Sequence, residues 1–121
     1  MPTYLFSYRT PNRPLDEVLA ELDEAGRAAR IAAWNTWFDS MGESVLKRGN
    51  PVVDARALGN CGPGTRVGGY TFITADDLDA AVALAEGCPG VEWGGGVEVG
   101  VIREVTAAES IDSQQGQPLA Q

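Results

Sequence analysis

At 121 residues the chain has the length of a single domain, enough to bury a core without help from metals or disulfides. Hydrophobic residues make up 44% and charged residues 21%, and no apolar run approaches the ~20 residues that span a bilayer, so no membrane partner is expected. The net charge of −8, from 17 acidic and 9 basic residues, opposes a phosphate backbone and excludes nucleic acid as a partner.

Histidine is absent, which rules out any Ser/His/Asp or Cys/His centre and removes the commonest metal ligand. Neither a metal nor a nucleotide cofactor is expected. Cys61 and Cys88 are too few for a disulfide scaffold and lack the spacing of a zinc or redox motif. Cys88 reads as an inert packed thiol and Cys61, in GNCGPG, as an exposed one. The acids at Asp16, Glu17, Glu21, Asp23, Glu24, Asp39 and Glu43 read as solvated helix surface.

Met1 and Pro2 lead directly into YLFSYR without a basic or apolar signal segment, so a cytoplasmic protein is expected. Thr3 to Arg9 reads as the first strand, with Tyr4, Phe6 and Tyr8 on one face and Leu5, Ser7 and Arg9 on the other. Pro11 and Pro14 stop it, and Pro14 suits the first position of a helix, where its missing N–H is harmless. Two apolar stripes follow, Leu15, Val18, Leu22, Ala25 and Ala29, then Ile31, Trp34, Phe38, Met41 and Val45. Their phases differ, which predicts a bend or a break into two helices just after Gly26. The second is expected to run through Lys47 and Arg48 to a cap at Gly49, with Pro51 blocking extension.

Val52 to Leu58 alternates weakly as a second strand, and GNCGPGT turns into a third at Arg66 to Thr74. Asp76 is placed to cap a helix carrying Leu78, Ala81, Val82 and Ala85 on one stripe, with Gly87 in the left-handed region at its end and Pro89 beyond. Val97, Val99 and Val101 alternate as a fourth strand with Glu98, Gly100 and Ile102. The order βαββαβ predicts an α+β, ferredoxin-like domain over residues 1–106, a four-stranded antiparallel sheet with both helices on one face. Apolar groups on both sides of the fourth strand predict a homodimer through the open sheet face. The polar segment 107–121 reads as a flexible tail, with Ile111 and Leu119 as its candidates for docking.

The motifs W-x-x-W-F at Trp34 to Phe38, GNP at Gly49 to Pro51, A-D-x-L-D-A-A from Ala75, GCP at Gly87 to Pro89 and GG-x-VEV from Gly94 occur in series along nearly the whole chain before the tail. In these the chain resembles the YCII-related proteins, particularly their DGPF-type branch. The resemblance implies a dimeric α+β barrel, two ferredoxin-like sheets packed face to face. Enzyme-like members look to depend on a His/Asp pair, whose histidine is missing here. Relatives of the DGPF type look like companions of alternative sigma factors, which implies a bacterial regulatory setting.

For a ligand site the sequence offers Tyr8 and Arg9 at the end of the first strand, Trp37 on the helix and Asn50 after the capping glycine. Arg9 can hold a carboxylate or phenolate through two parallel hydrogen bonds, or pair with Glu98 or Glu104 on a neighbouring strand. Asn50 can equally serve its own turn, and Trp34, Trp37, Trp93 and Phe38 are read as packing. Gly94, Gly95 and Gly96 lead into a strand and lack the Lys and Ser or Thr of a phosphate loop. A dimer that binds a small anionic or aromatic molecule is favoured over an enzyme using Arg9 with Tyr8 or a carboxylate such as Asp54 or Glu98. A regulatory docking protein is the third class.

Overall fold

The computed structural model describes residues 1–105. In chain order they form β1 (Thr3–Pro11), α1 (Leu15–Ala20), α2 (Glu24–Met41), β2 (Val45–Lys47), β3 (Thr65–Thr74), α3 (Leu78–Ala85) and β4 (Gly96–Ile102). Short 3₁₀ turns lie at Gly42–Ser44 and Pro89–Trp93. The sheet has the order β2-β3-β1-β4 with every adjacent pair antiparallel, as a ferredoxin-like fold requires. The tail, with Ile111 and Leu119, lies outside the described residues. Among those described, no helix is long and apolar enough to cross a membrane.

Alternation on β1 buries Tyr4, Phe6 and Tyr8 toward the helices while Leu5 and Ser7 face the other way, with a register shift against β3 between Tyr8 and Arg9. Above them the core is completed by Ile73 of β3, Trp37 and Met41 of α2, and Ala81 and Ala85 of α3. The Trp37 ring stacks on Phe6 with centroids 5.9 Å apart. Its Nε1–H donates to the Leu84 carbonyl at 3.1 Å, so the one polar atom of the indole is satisfied by α3. Alanines let α3 approach β1 and β4 closely, and that half of the sheet is well covered.

The helical region breaks earlier than the stripes suggest. α1 stops at Ala20, and the Asp23 carboxylate accepts from Gly26 N at 2.7 Å to start α2. A side-chain cap thus fixes the boundary ahead of the phase slip. The second helix also ends sooner, at Met41, because Gly42 takes φ 53°, outside the helix. Val45 then belongs to β2, opposite Ile73, where its side chain packs on the core.

Val52 to Leu58 is not a strand. Pro51 bridges Gly69 and Val52 N donates to Gly68 O, after which the chain leaves the ladder. The carbonyls of Val52 and Val53 are taken instead by the Arg66 guanidinium, which is buried and also donates to the carbonyls of Arg13 and Val67. Arg66 therefore does the work of a second strand, tying the segment before α1 and the segment after Pro51 to β3. For α3 the capping carboxylate is Asp77, which accepts from Ala80 N at 2.8 Å, rather than Asp76. Gly87 is outside the left-handed region, and α3 closes through a right-handed cap at Glu86.

The register puts Val97 and Val99 of β4 beside Tyr8 and Phe6, on the helix side, where they pack on the core. The apolar groups of the other face are Leu5, Tyr70, Phe72 and Ile102, with Ser7 and Glu98 among them. Among the described residues, no helix covers that face.

Candidate functional site

At the far end of the helix layer from α3, a cleft of about 530 Å³ opens between α1, α2, the ends of β1 and β3, and the loop Arg48 to Pro51. α1 forms one wall. It buries no residue of its own, and Leu15, Val18 and Leu19 line the cleft. The opposing surface is aromatic: Tyr8, Trp34, Phe38 and Trp93. Trp34 organises it, meeting Tyr8 edge-on at 4.9 Å, Phe38 in a stack at 6.0 Å and Trp93 at 6.5 Å.

Tyr8 is fixed from behind. Its hydroxyl donates to Thr71 Oγ1 at 2.7 Å, and Thr71 donates in turn to the Arg48 carbonyl at 2.7 Å. Burial pushes the Tyr8 pKa far above the ordinary tyrosine value, so the phenol is neutral and cannot act as a base near pH 7. The same chain of hydrogen bonds pins the loop that carries Arg48, Gly49 and Asn50. Gly49 is required there: its φ is +75°, and a Cβ would stand 1.9 Å from the Tyr70 carbonyl oxygen.

The residues singled out in the sequence come together in part. Tyr8, Arg9 and Asn50 all line the cleft, whereas Trp37 lies behind Trp34 in the core. The Arg9 guanidinium donates through Nε to Thr65 Oγ1 at 3.2 Å and through Nη2 to Thr65 O at 2.9 Å, rather than to Glu98 or Glu104. Asn50 is exposed, and its Nδ2 donates to the Tyr70 hydroxyl at 3.3 Å. Asp54 and Glu98, the carboxylates considered for acid–base work, are both exposed and line no part of the cleft. The Asp54 carboxyl is held below its usual range, chiefly by the Ala55 N–H and also by Arg56, the opposite of what a general base at neutral pH needs.

Sequence reasoning assigned Trp34, Phe38 and Trp93 to packing and weighed no arginine besides Arg9. The signal was nonetheless present: Arg30, Trp34 and Phe38 recur at i, i+4 and i+8, a single stripe along α2. Five arginines, Arg9, Arg13, Arg27, Arg30 and Arg48, line the cleft, against one carboxylate, Glu21, which is paired with Arg13. In a chain of net charge −8 this is a local reversal of sign.

Cys88 is buried and its thiol is pushed up by that burial, while Cys61 is exposed. No protein-family model matches the chain, and no curated protein matches it. Fold and cleft together define an α+β domain with a sheet open on one face and an aromatic, arginine-lined cleft at one end of the other.

Proposed function

We propose that the protein is a YCII-related binding domain of the DGPF type, whose task is to hold a small aromatic or otherwise apolar anion in the cleft between α1, α2 and the sheet. The observation that carries this reading is the composition of the cleft: an apolar interior of Tyr8, Trp34, Phe38 and α1 aliphatics beneath a surplus of guanidinium groups. Small-ligand sites have this character, mostly apolar walls with a few polar anchors, and a volume of about 530 Å³ suits a molecule of one to three rings. Tyr8, held neutral and hydrogen-bonded, supplies shape rather than chemistry. The test is titration of aromatic carboxylic acids against intrinsic tryptophan emission. Trp34→Ala should abolish the response, and an unchanged response in that variant would overturn the assignment.

The same reading makes the working unit a homodimer, with a second copy of the chain on the open sheet face. Leu5, Tyr70, Phe72 and Ile102 supply the apolar surface that a twofold partner can match. Light scattering at micromolar concentration should give twice the chain mass for the native protein and the single-chain mass for Phe72→Glu. A native protein that runs as a monomer would remove the dimer from the proposal.

A further inference from the structure

We infer that the anion is held by Arg30 and Arg48, which act as a pair of carboxylate anchors at the two ends of the aromatic row. This rests on the cleft being the ligand site. Three of the five cleft arginines are already committed to the protein. Arg9 donates to Thr65, Arg13 pairs with Glu21, and Arg27 donates to the carbonyls of Leu19 in α1 and Leu22 just after it. Arg30 and Arg48 differ in kind. The Arg30 guanidinium lies over the Trp93 ring at 4.4 Å and that of Arg48 over the Phe38 ring at 4.3 Å. Among the described residues neither meets a carboxylate, and the one side-chain acceptor used is Asn35 Oδ1, by Arg48.

A guanidinium held over an aromatic ring keeps N–H donors for a further partner, and its planar fork can grip a carboxylate through two parallel bonds. The rings beneath also restrict the rotamers of both side chains, so less freedom is lost when a ligand binds. Both arginines border one continuous aromatic surface, because Trp93 contacts Trp34 and Trp34 stacks on Phe38. The ligand class follows from this: a planar aromatic or polycyclic body lying along Trp34, with a carboxylate or similar planar anionic group reaching an arginine at its edge. A neutral molecule of the same shape fills the cleft but leaves both guanidinium groups unused.

The probes are 2-naphthoate and its uncharged counterpart 2-naphthamide, titrated calorimetrically into the native protein, Arg30→Gln, Arg48→Gln and the double variant. Hydrogen bonds to a charged group lead to an expected preference of about tenfold or more for naphthoate in the native protein. In the double variant the two probes should bind equally, with naphthamide affinity within about threefold of native. Because the carboxylate meets one arginine at a time, at least one of the single variants should reduce the preference by about twofold or more, and a preference unchanged in both would overturn the assignment even if the double variant does not fold. Equal binding of both probes by the native protein, or a preference that survives the double variant, would overturn the arginine assignment while leaving the cleft as the binding site. If neither probe binds, the cleft reading fails and the assignment falls with it.

Discussion

Two tryptophans three residues apart on α2 divide the molecule into a packed region and an open one. Trp37 is buried, stacked on Phe6, bonded to Leu84 O, and lies so close over Gly87 that a Cβ there would come within 2.9 Å of the indole. Trp34, on the adjoining strip of the same helix, is half-buried and borders the cleft. The difference lies in what stands opposite each. Trp37 faces α3, whose alanines and Gly87 permit close approach, and Trp34 faces α1, which buries nothing and is held by polar ties at its ends. Small residues on one helix close a core, whereas a short helix moored at its ends leaves a gap with aromatic walls. The fold thus carries a rigid half that sets stability and a half whose apolar surface is available to a ligand.

The largest effect should come from removing the first tryptophan. Trp37→Ala is expected to cost roughly 3–5 kcal/mol in urea unfolding, against about 1–2 kcal/mol for Trp34→Ala, whose surface is already partly in water. Equal costs would erase the distinction between the two regions. Next comes Arg66→Met, which removes the donors to the carbonyls of Arg13, Val52, Val53 and Val67 and should cost roughly 2–4 kcal/mol. It should also loosen α1, seen as faster amide exchange there than around α3.

Thr71→Val should cost roughly 1–3 kcal/mol, since it strands the buried Tyr8 hydroxyl. The pH dependence follows from the same residue. A tyrosine kept neutral by burial has its folded pKa raised, so its contribution is complete below the unfolded value near 10 and is lost as pH climbs beyond it. Alkaline unfolding monitored at 295 nm should therefore begin at higher pH in Tyr8→Phe than in the native protein. An identical alkaline limb in the two would refute the role given to Tyr8. The smallest effect concerns the thiols: a disulfide reagent should titrate Cys61 quickly and Cys88 only after unfolding, and two fast equivalents would show that the packing around Cys88 opens further than its burial indicates.

Much of the fold was legible in the chain. Alternation of Tyr4, Phe6 and Tyr8, the run from Arg66 to Thr74, and Val97 to Val101 each specify a strand, while the choice of which face is buried came only with the helices that cover it. The α3 stripe held in part: Ala81 and Ala85 are buried, whereas Leu78 and Val82 are exposed. Less legible were the ends of the helices and the second strand. Asp23 and Asp77 became caps through bonds that composition cannot choose among neighbouring acids, and Gly42, not Gly49, stopped α2.

By itself, the sequence determined the antiparallel α+β order and the positions of the central strands, because these depend on local periodicity and composition. Tertiary structure decided the rest. Arg66 reaches across more than fifty positions to Arg13 and replaces a strand by side-chain bonds, a pairing without any local signature. It likewise decided which arginines are committed and which lie over rings, since Arg30 meets Trp93 and Arg48 meets Phe38 only once the chain has folded back on itself. Residue type and spacing specify which side chains share a face of one element; the partner across the gap is set by how closely the neighbouring elements can pack.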